Sequence, residues 1–250
     1  MRRALPWALL ALLILTQICY PLTAGDTRAA FTVTTVLLGY LASVLHAGLT
    51  RGPRAALALV ATATVGGFLV EAVGVATGFP FGEYDYSGRL GPKILDVPLI
   101  IPLAWTWMAW PAWLAALRLA RSRPARIVLA AVGLAAWDLF LDPQMVAENY
   151  WQWRSPEPSL PGVPGIPIGN YLGWLGFALV LMTALSWALG RAGTEPSPTD
   201  TPMIVLWFWT YASSVLAHAV FLDLPASAVW GGVLMGAVVL PLAVRLRRRT

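Results

Sequence analysis

The sequence has little of what soluble proteins and metal centres require. Only 12% of its 250 residues are charged and 58% are hydrophobic, whereas a soluble domain carries about 25% charged residues. One cysteine, Cys19, excludes an intramolecular disulfide and a cysteine-based metal centre. Two histidines, His46 and His218, leave little for a transition-metal site. The composition therefore excludes a soluble globular domain and a disordered chain, and it predicts a membrane protein with no bound metal.

Apolar runs long enough to cross a bilayer fill most of the chain. A spanning helix needs about 20 apolar residues, and we find eight such runs, at 5–22, 29–49, 55–76, 99–119, 127–147, 169–189, 203–222 and 226–244. The first run could instead be a signal peptide because Arg2 and Arg3 precede it, but it is long and lacks a small-x-small cleavage site. We therefore predict one all-α, polytopic membrane domain over residues 1–250, with about eight transmembrane helices.

The basic residues are distributed unequally between the two ends of these spans. With a cytoplasmic N-terminus, thirteen basic residues fall inside and four fall outside, the outer ones being Arg28, Arg89, Lys93 and Arg154. The thirteen inner residues are Arg2, Arg3, Arg51, Arg54, Arg118, Arg121, Arg123, Arg126, Arg191, Arg245, Arg247, Arg248 and Arg249. Basic residues favour cytoplasmic loops, so both termini are expected in the cytoplasm of a cell-membrane protein. The pI near 9.8 then reflects topology, and nucleic acid is not an expected partner.

This topology assigns the connections between the spans. Residues 78–98 and 149–168 become outer loops rich in glycine, proline and aromatic residues, and residues 191–202 become a polar cytoplasmic linker. Irregular segments of this kind enter a membrane only where protein or a cavity satisfies their backbone. We expect membrane lipid to surround the helical bundle whichever way it is oriented in the membrane.

Several titratable side chains fall inside the apolar runs. An ionisable group near mid-bilayer costs about 2.5–3.5 kcal/mol on insertion scales, and Glu71, Asp138, Asp142 and His218 all lie about 16–24 Å from the inner face at 1.5 Å per helical residue. Such residues usually have a function, although they can also serve only to hydrogen-bond helices together. Their similar depth favours a shared functional cavity.

Asp138 and Asp142 form the most informative pair. They are four residues apart and share one helix face, where two ionised carboxylates would repel each other, so at least one is expected to be protonated at neutral pH. Pro143 follows directly, and its missing N–H leaves the carbonyl of Leu139 without its helical donor. His218 is weaker evidence, because a histidine bonded between helices is as common as a proton carrier.

The fourth span is crowded with tryptophan. Trp105, Trp107, Trp110 and Trp113 lie in it, and the middle two are too deep for an interfacial belt. Each could simply pack in the core or against lipid. As a group they could also line a site for a long conjugated or isoprenoid ligand, or stabilise a carbocation with their π faces.

The segments around these residues resemble a known family when taken together and in order. The resemblance covers roughly residues 71–174, and neither the first two spans nor the last two carry a matching motif. The segments are Gly-Phe-Pro-Phe-Gly-Glu-Tyr-Asp-Tyr at 78–86, Leu-Gly-Pro at 90–92, Val-Pro-Leu-Ile-Ile-Pro-Leu-Ala-Trp at 97–105, Trp-Asp-Leu-Phe-Leu-Asp-Pro at 137–143, Trp-Gln-Trp at 151–153 and Gly-Ile-Pro-Ile-Gly-Asn-Tyr-Leu-Gly-Trp at 165–174. They resemble the integral-membrane carotenoid biosynthesis family that includes the γ-carotene and bisanhydrobacterioruberin 1,2-hydratases.

The resemblance implies cofactor-independent addition of water to the terminal isopropylidene C1,C2 double bond of an acyclic C40 or C50 carotenoid, giving a tertiary alcohol. Other carotenoid-pathway enzymes are further candidate partners. The chemistry needs a desolvated acid, for which Asp138 with Asp142 is the best candidate pair and Glu71 a further one. Glu83 and Asp85 are alternatives if their loop folds back into the bundle. The candidate substrate- or water-binding residues are Tyr84, Trp107, Trp137, Asn170, Trp174 and His218.

Other functions remain open at this level. A carotenoid end-group cyclase also begins by protonating such an alkene, and a dry pocket would favour it. A non-catalytic isoprenoid or lipid carrier could use the deep acids as a proton relay, and a structural scaffold is a further alternative. The sequence contains no phosphate loop, paired Asp-rich prenyl-diphosphate motif or dinucleotide fingerprint, which disfavours prenyl transfer and nicotinamide or flavin chemistry.

Overall fold

The computed structural model describes residues 4–190, 193 and 195–248. The predictions made for Arg2, Arg3, Arg191 and Arg249 lie outside these residues. So does part of the predicted linker 191–202.

Helices account for most of the described chain. They are α1 (Leu5–Cys19), α2 (Gly25–Arg51), α3 (Pro53–Leu59), α4 (Gly66–Thr77), α5 (Ile100–Leu119), α6 (Arg123–Ala147), α7 (Ile168–Leu189), α8 (Thr201–Leu216) and α9 (Pro225–Arg247). A π-helical segment, Val60–Val65, joins α3 to α4, and another, Ala217–Phe221, extends α8. Within the described residues, eight helical segments are long and apolar enough to span a membrane, which confirms the predicted fold class. The cytoplasmic placement of the termini stays a prediction.

Helix α5 lies at the centre of the bundle. In its most apolar window 94% of the residues are buried, and the tryptophans at 105, 107, 110 and 113 are all in the core. Their indole N–H groups mostly have partners within the bundle. Trp110 Nε1, for example, donates to His46 Nδ1 over 2.9 Å. The outer helices instead expose leucine and valine, such as Leu57 and Val180, as expected for a surface in contact with lipid.

At two of the prolines inside helices, a serine from a neighbouring helix supplies the hydrogen bond that the proline removes. Pro143 in α6 cannot donate to the carbonyl of Leu139, and Ser227 Oγ of α9 donates to that oxygen over 2.6 Å. Pro111 in α5 likewise frees the carbonyl of Trp107, and Ser43 Oγ of α2 donates to it over 2.9 Å. The orphan carbonyl predicted from Pro143 therefore forms an interhelical contact.

At one end of the bundle, arginines gather around a buried aspartate. Arg51 Nη1 lies 2.6 Å from Asp200 Oδ1, and Arg118 Nη1 lies 2.9 Å from Asp200 Oδ2. Asp200 belongs to a 3-10 turn, Pro198–Asp200, within the segment predicted as a polar linker. This part of that segment is a buried ion-pair centre that ties the ends of α2, α5 and α8 together.

At the opposite end, the two predicted outer loops fold against each other. Short strand β1 (Tyr84–Tyr86) pairs antiparallel with β4 (Trp151–Trp153), so the loops meet although they are far apart in sequence. Strands β2 (Lys93–Ile94) and β3 (Val97–Pro98) form a second pair, and β5 (Ser159–Leu160) and β6 (Val163–Pro167) a third. Together they close this end of the bundle over the deep acids.

Candidate active site

Asp138 and Asp142 are joined by a single amide. Both side chains are buried on α6, and Asn170 of α7 donates its Nδ2 to Asp138 Oδ2 over 2.9 Å and to Asp142 Oδ2 over 2.5 Å. Trp151 Nε1 of β4 also donates to Asp142 Oδ1 over 3.1 Å. Asp138 Oδ1 is buried without a hydrogen-bond partner. The two carboxyl groups are thus unequally solvated by the protein, with more donors on Asp142 than on Asp138.

Glu71, in α4, is held by three donors from other segments. Its Oε2 accepts hydrogen bonds from the hydroxyls of Tyr84 and Tyr86, each over 2.7 Å. Its Oε1 accepts from Trp105 Nε1 over 2.9 Å. Both oxygens of the carboxyl group thus accept hydrogen bonds from the protein, which fixes the position and orientation of the Glu71 side chain.

The two tyrosines stay protonated in this setting. Burial, reinforced by the neighbouring Glu71 carboxyl, raises the pKa of Tyr84 and of Tyr86 above the usual value of a phenol. Both hydroxyls therefore remain donors at physiological pH. They lie on the inward face of β1.

Glu71 and Asp142 line one small cavity, which we call the carboxyl cavity. Its volume is about 40 Å³. Asn170 and Tyr84 contribute further polar groups to it, and most of its other walls are apolar or aromatic, among them Phe81, Trp105, Leu141 and Trp174. Four titratable residues were expected to share one cavity. Glu71 and Asp142 line this one, whereas Asp138 and His218 do not.

A second, larger space adjoins it, which we call the polar chamber. Its volume is about 100 Å³. The two spaces share the side chains of Thr32, Val36, Leu141 and Met145 as a common wall. The chamber's other walls include hydroxyl, amide and indole groups from Gln17, Thr35, Trp107, Gln144, Thr210 and Ser213.

A row of aromatic rings runs along both spaces. Trp107 and Trp137 meet edge to face with centroids 5.5 Å apart, and Trp137 is 6.3 Å from Trp174. Trp174 stacks on Trp105 at 3.7 Å with an interplanar angle of 16°. The structure therefore brings together Trp107, Trp137 and Trp174, which were singled out from the sequence. Phe177, which packs edge to face on Trp105, also lines an outward-facing apolar groove between α4 and α7.

Glu83 and Asp85 are not brought into this site. Both are exposed on the loop surface, and Arg154 holds Asp85 through two hydrogen bonds of 2.7 and 2.8 Å. The loop does fold back onto the bundle, but successive side chains of a strand point to opposite faces. Tyr84 and Tyr86 consequently point inward while Asp85 points outward. The alternative placement of the acid on this loop therefore has no support from the geometry.

His218 lies beside the polar chamber without lining it. Its Nδ1 is 2.8 Å from the carbonyl oxygen of Ser214, and its Nε2 is 2.9 Å from that of Phe140. Both ring nitrogens are thus occupied by backbone groups of α8 and α6. This geometry matches the interhelical alternative considered for His218 more closely than a substrate contact.

Three further residues belong to the site although they were not among the predicted site residues. Tyr86 and Trp105 donate to Glu71, and Trp151 donates to Asp142. The alternation of Tyr-Asp-Tyr and Trp-Gln-Trp is the period of two typical of a strand, and it could have indicated that alternate aromatic residues face inward. Among the described residues, no three His, Cys, Asp or Glu side chains are grouped as metal ligands.

These features define a membrane-embedded helical protein with a buried, aromatic-walled carboxyl site. The chain belongs to the carotenoid biosynthesis protein family, whose profile matches residues 31–241. It is also similar to the bisanhydrobacterioruberin hydratase of Haloarcula japonica, with 35% identity over 157 residues, covering 61% of this chain and 52% of that relative. The chain thus matches about half the length of this curated relative. No solved structure matches it.

Proposed function

We propose that the protein hydrates the terminal C1,C2 double bond of an acyclic carotenoid to a tertiary alcohol. The observation that carries this proposal is the Asp138–Asp142 pair, which shares the Asn170 amide and has Asp142 facing an aromatic-walled cavity. Two adjacent buried carboxyl groups do not both ionise readily, so the pair retains a proton. Membership of the carotenoid biosynthesis family and similarity to a hydratase support the choice of substrate and reaction.

In this proposal Asp142 delivers the proton because it reaches the cavity. The π electrons of the alkene form a C–H bond to the less substituted carbon C2, and the O–H bond of the acid breaks. A tertiary cation remains at C1. Trp105 and Trp174 present π faces to it, an interaction that contributes about 2 kcal/mol or more where water is excluded.

A water oxygen then forms the C1–O bond, and its surplus proton returns to the Asp138–Asp142 pair. The acid is regenerated, and the net change is the addition of one water. Asp138 is a positioning residue that shares Asn170 with Asp142 and exchanges the proton with it. Glu71, held by three donors, contributes a second carboxyl group to the wall of the same cavity.

A cyclase would start with the same proton transfer, but an internal alkene would capture the cation. The polar chamber beside the carboxyl cavity favours capture by water. The apolar groove next to Phe177 offers room for the long polyene outside the cavity.

The test is expression in one bacterial host that accumulates lycopene and in another that accumulates an acyclic C50 carotenoid, with pigments analysed by liquid chromatography and mass spectrometry. We expect a product heavier by one water per modified end with an unchanged chromophore. Asp142→Asn is expected to lower its formation by about 10²–10⁴-fold, the range for loss of a general acid. The matched control is Asp96→Asn, an exposed loop acid whose backbone φ of 62° asparagine tolerates.

Three results would contradict the proposal. An isomer of unchanged mass with a shortened chromophore would indicate a cyclase. No new pigment from correctly inserted protein in either host would favour a carrier. If Asp142→Asn hydrated the carotenoid as fast as the wild type, Asp142 would not be the catalytic acid.

A further inference from the structure

The polar chamber contains buried polar atoms that have no partner within the protein. Thr35 Oγ1 of α2, Trp107 Nε1 of α5 and Thr210 Oγ1 of α8 are all buried and unpaired, and all three residues line the chamber. A buried polar group left without a hydrogen bond destabilises the folded protein. Three such groups from three helices around one space indicate that a small polar ligand completes their hydrogen bonds.

Water fits both the size and the chemistry of this space. A volume of about 100 Å³ holds several water molecules, and internal waters typically make two to four hydrogen bonds to groups that would otherwise be unsatisfied. The hydroxyls of Thr35 and Thr210 can donate or accept, whereas the Trp107 indole only donates. Water can serve all three groups at once.

The chamber also lies where a hydration reaction needs its nucleophile. Its wall of Thr32, Val36, Leu141 and Met145 is at the same time a wall of the carboxyl cavity. The carboxyl cavity, at about 40 Å³, is the smaller space and is mostly lined by apolar side chains. Water held in the chamber therefore lies next to the space in which the cation forms.

We propose that the polar chamber is a binding site for ordered water and that it supplies the water molecule that captures the cation. This inference rests on the proposed hydratase function. It assigns Thr35 and Thr210 as positioning residues for the nucleophile, while proton delivery stays with Asp142.

The first experiment detects the water without any substrate. X-ray radiolysis generates hydroxyl radicals from ordered internal water, and mass spectrometry then locates the oxidised side chains. Met145 and Trp107 are only 3% and 4% exposed and line the chamber, so we expect both to be oxidised. Met182 and Trp113, which are fully buried and line none of the spaces described above, are the matched controls and are expected to stay unmodified. Equal, background-level oxidation of all four would overturn the proposal.

The second experiment separates water delivery from proton delivery. The double variant Thr35→Val, Thr210→Val keeps side-chain shape but removes both hydroxyls, and Thr34→Val is the control because Thr34 is exposed on the same helix. The reactions are run in D₂O with the pigment that the wild type converts. Two quantities are measured: the amount of tertiary alcohol formed and the deuterium content of the recovered substrate. The substrate gains deuterium when the acid transfers a deuteron to C2 and the cation then loses a proton to re-form the alkene.

We expect the double variant to form the alcohol about thirtyfold more slowly, the factor that corresponds to two lost hydrogen bonds of about 1 kcal/mol each. Deuterium exchange should be retained, and oxidation of Met145 should fall. Unchanged hydration, or a parallel loss of hydration and exchange, would overturn the assignment of the chamber as the source of the nucleophile. Failure of the proposed function is distinguishable, because the wild type would then form no alcohol even if Met145 and Trp107 were oxidised.

Discussion

Tyr84 donates its hydroxyl to Glu71 over 2.7 Å, and this bond connects a loop strand to a helix inside the membrane-spanning bundle. Tyr86 makes the same contact from the same strand. Together these bonds fix the loop that closes the carboxyl cavity. They also place a carboxylate where the protein, and not bulk water, supplies its hydrogen bonds.

Removing either hydroxyl is expected to destabilise this end of the bundle. Removing one partner of a buried hydrogen bond costs about 1–3 kcal/mol, so Tyr84→Phe and Tyr86→Phe should each lower the free energy of unfolding by roughly that amount. Thermal unfolding in detergent measures the loss, and Tyr40→Phe in α2 serves as the control. A loss below about 0.5 kcal/mol for both variants would argue against these two hydrogen bonds.

The serines that compensate for the helix prolines should be individually important. Ser43→Ala leaves the Trp107 carbonyl buried and unpaired, which costs about 1–3 kcal/mol, and Ser227→Ala does the same at Leu139. Exposed Ser155→Ala is the control. A rescue test is available, because Pro111→Ala restores a helical N–H to the Trp107 carbonyl. The double variant Ser43→Ala, Pro111→Ala should therefore lose less unfolding free energy than the sum of the losses in the two single variants.

Two glycines of α2 should respond oppositely to an added methyl group. A Cβ at Gly39 would lie 2.4 Å from the Trp107 ring, whereas one at Gly48 would meet Ala56 Cβ at an ordinary 3.5 Å. Overpacking costs about 1–3 kcal/mol, so Gly39→Ala should lower the unfolding temperature. Gly48→Ala should leave it unchanged or raise it, because alanine reduces the entropy of the unfolded chain. Equal shifts in the two variants would contradict the close approach of α2 to Trp107.

The exposed pair of Asp85 and Arg154 predicts a small acid-dependent loss of stability. Hydrogen bonding to Arg154 lowers the pKa of the Asp85 carboxyl below its usual value. The stability that this ion pair contributes is therefore fully present above the pKa of Asp85 in the unfolded chain, about 4. This stability is lost as the pH falls through the lower pKa of Asp85 in the folded protein. Asp85→Asn should remove this part of the pH dependence between pH 7 and 3, measured by thermal unfolding.

The same variant tests the site. Because Asp85 points away from the carboxyl cavity, Asp85→Asn and Glu83→Gln should both retain hydration. A large loss of product formation in Asp85→Asn would instead indicate that Asp85, on the loop, is the catalytic acid.

The sequence predicted the spans and the depth of the acids because a helix has a fixed rise per residue, so position in a span gives depth directly. It could not predict that Asn170 lies between Asp138 and Asp142, since the rotation of α7 against α6 depends on packing across the whole bundle. Asn170 was a candidate substrate- or water-binding residue, and in the structure it donates to both carboxyl groups. The roles of these residues in catalysis stay predictions.

The loops were harder to predict than the helices. Strand β1 finds its partner β4 more than sixty residues away, and no local pattern specifies such a pairing. Glu83 and Asp85 were candidate acids because they lie in a recognisable segment. In strand β1, however, alternate side chains face inward, and these are Tyr84 and Tyr86. The orphan carbonyl at Leu139 followed from Pro143 alone, whereas its partner Ser227 depends on how α9 packs.

The carboxyl groups of the site and the two hydroxyls proposed to hold water come from different helices. Asp142, Asn170 and Glu71 come from α6, α7 and α4, whereas Thr35 and Thr210 come from α2 and α8. Substitutions in α2 and α8 could therefore change what captures the cation while leaving its formation intact. In the proposed reaction, the group that captures the cation and the group that supplies the proton are therefore open to separate substitution.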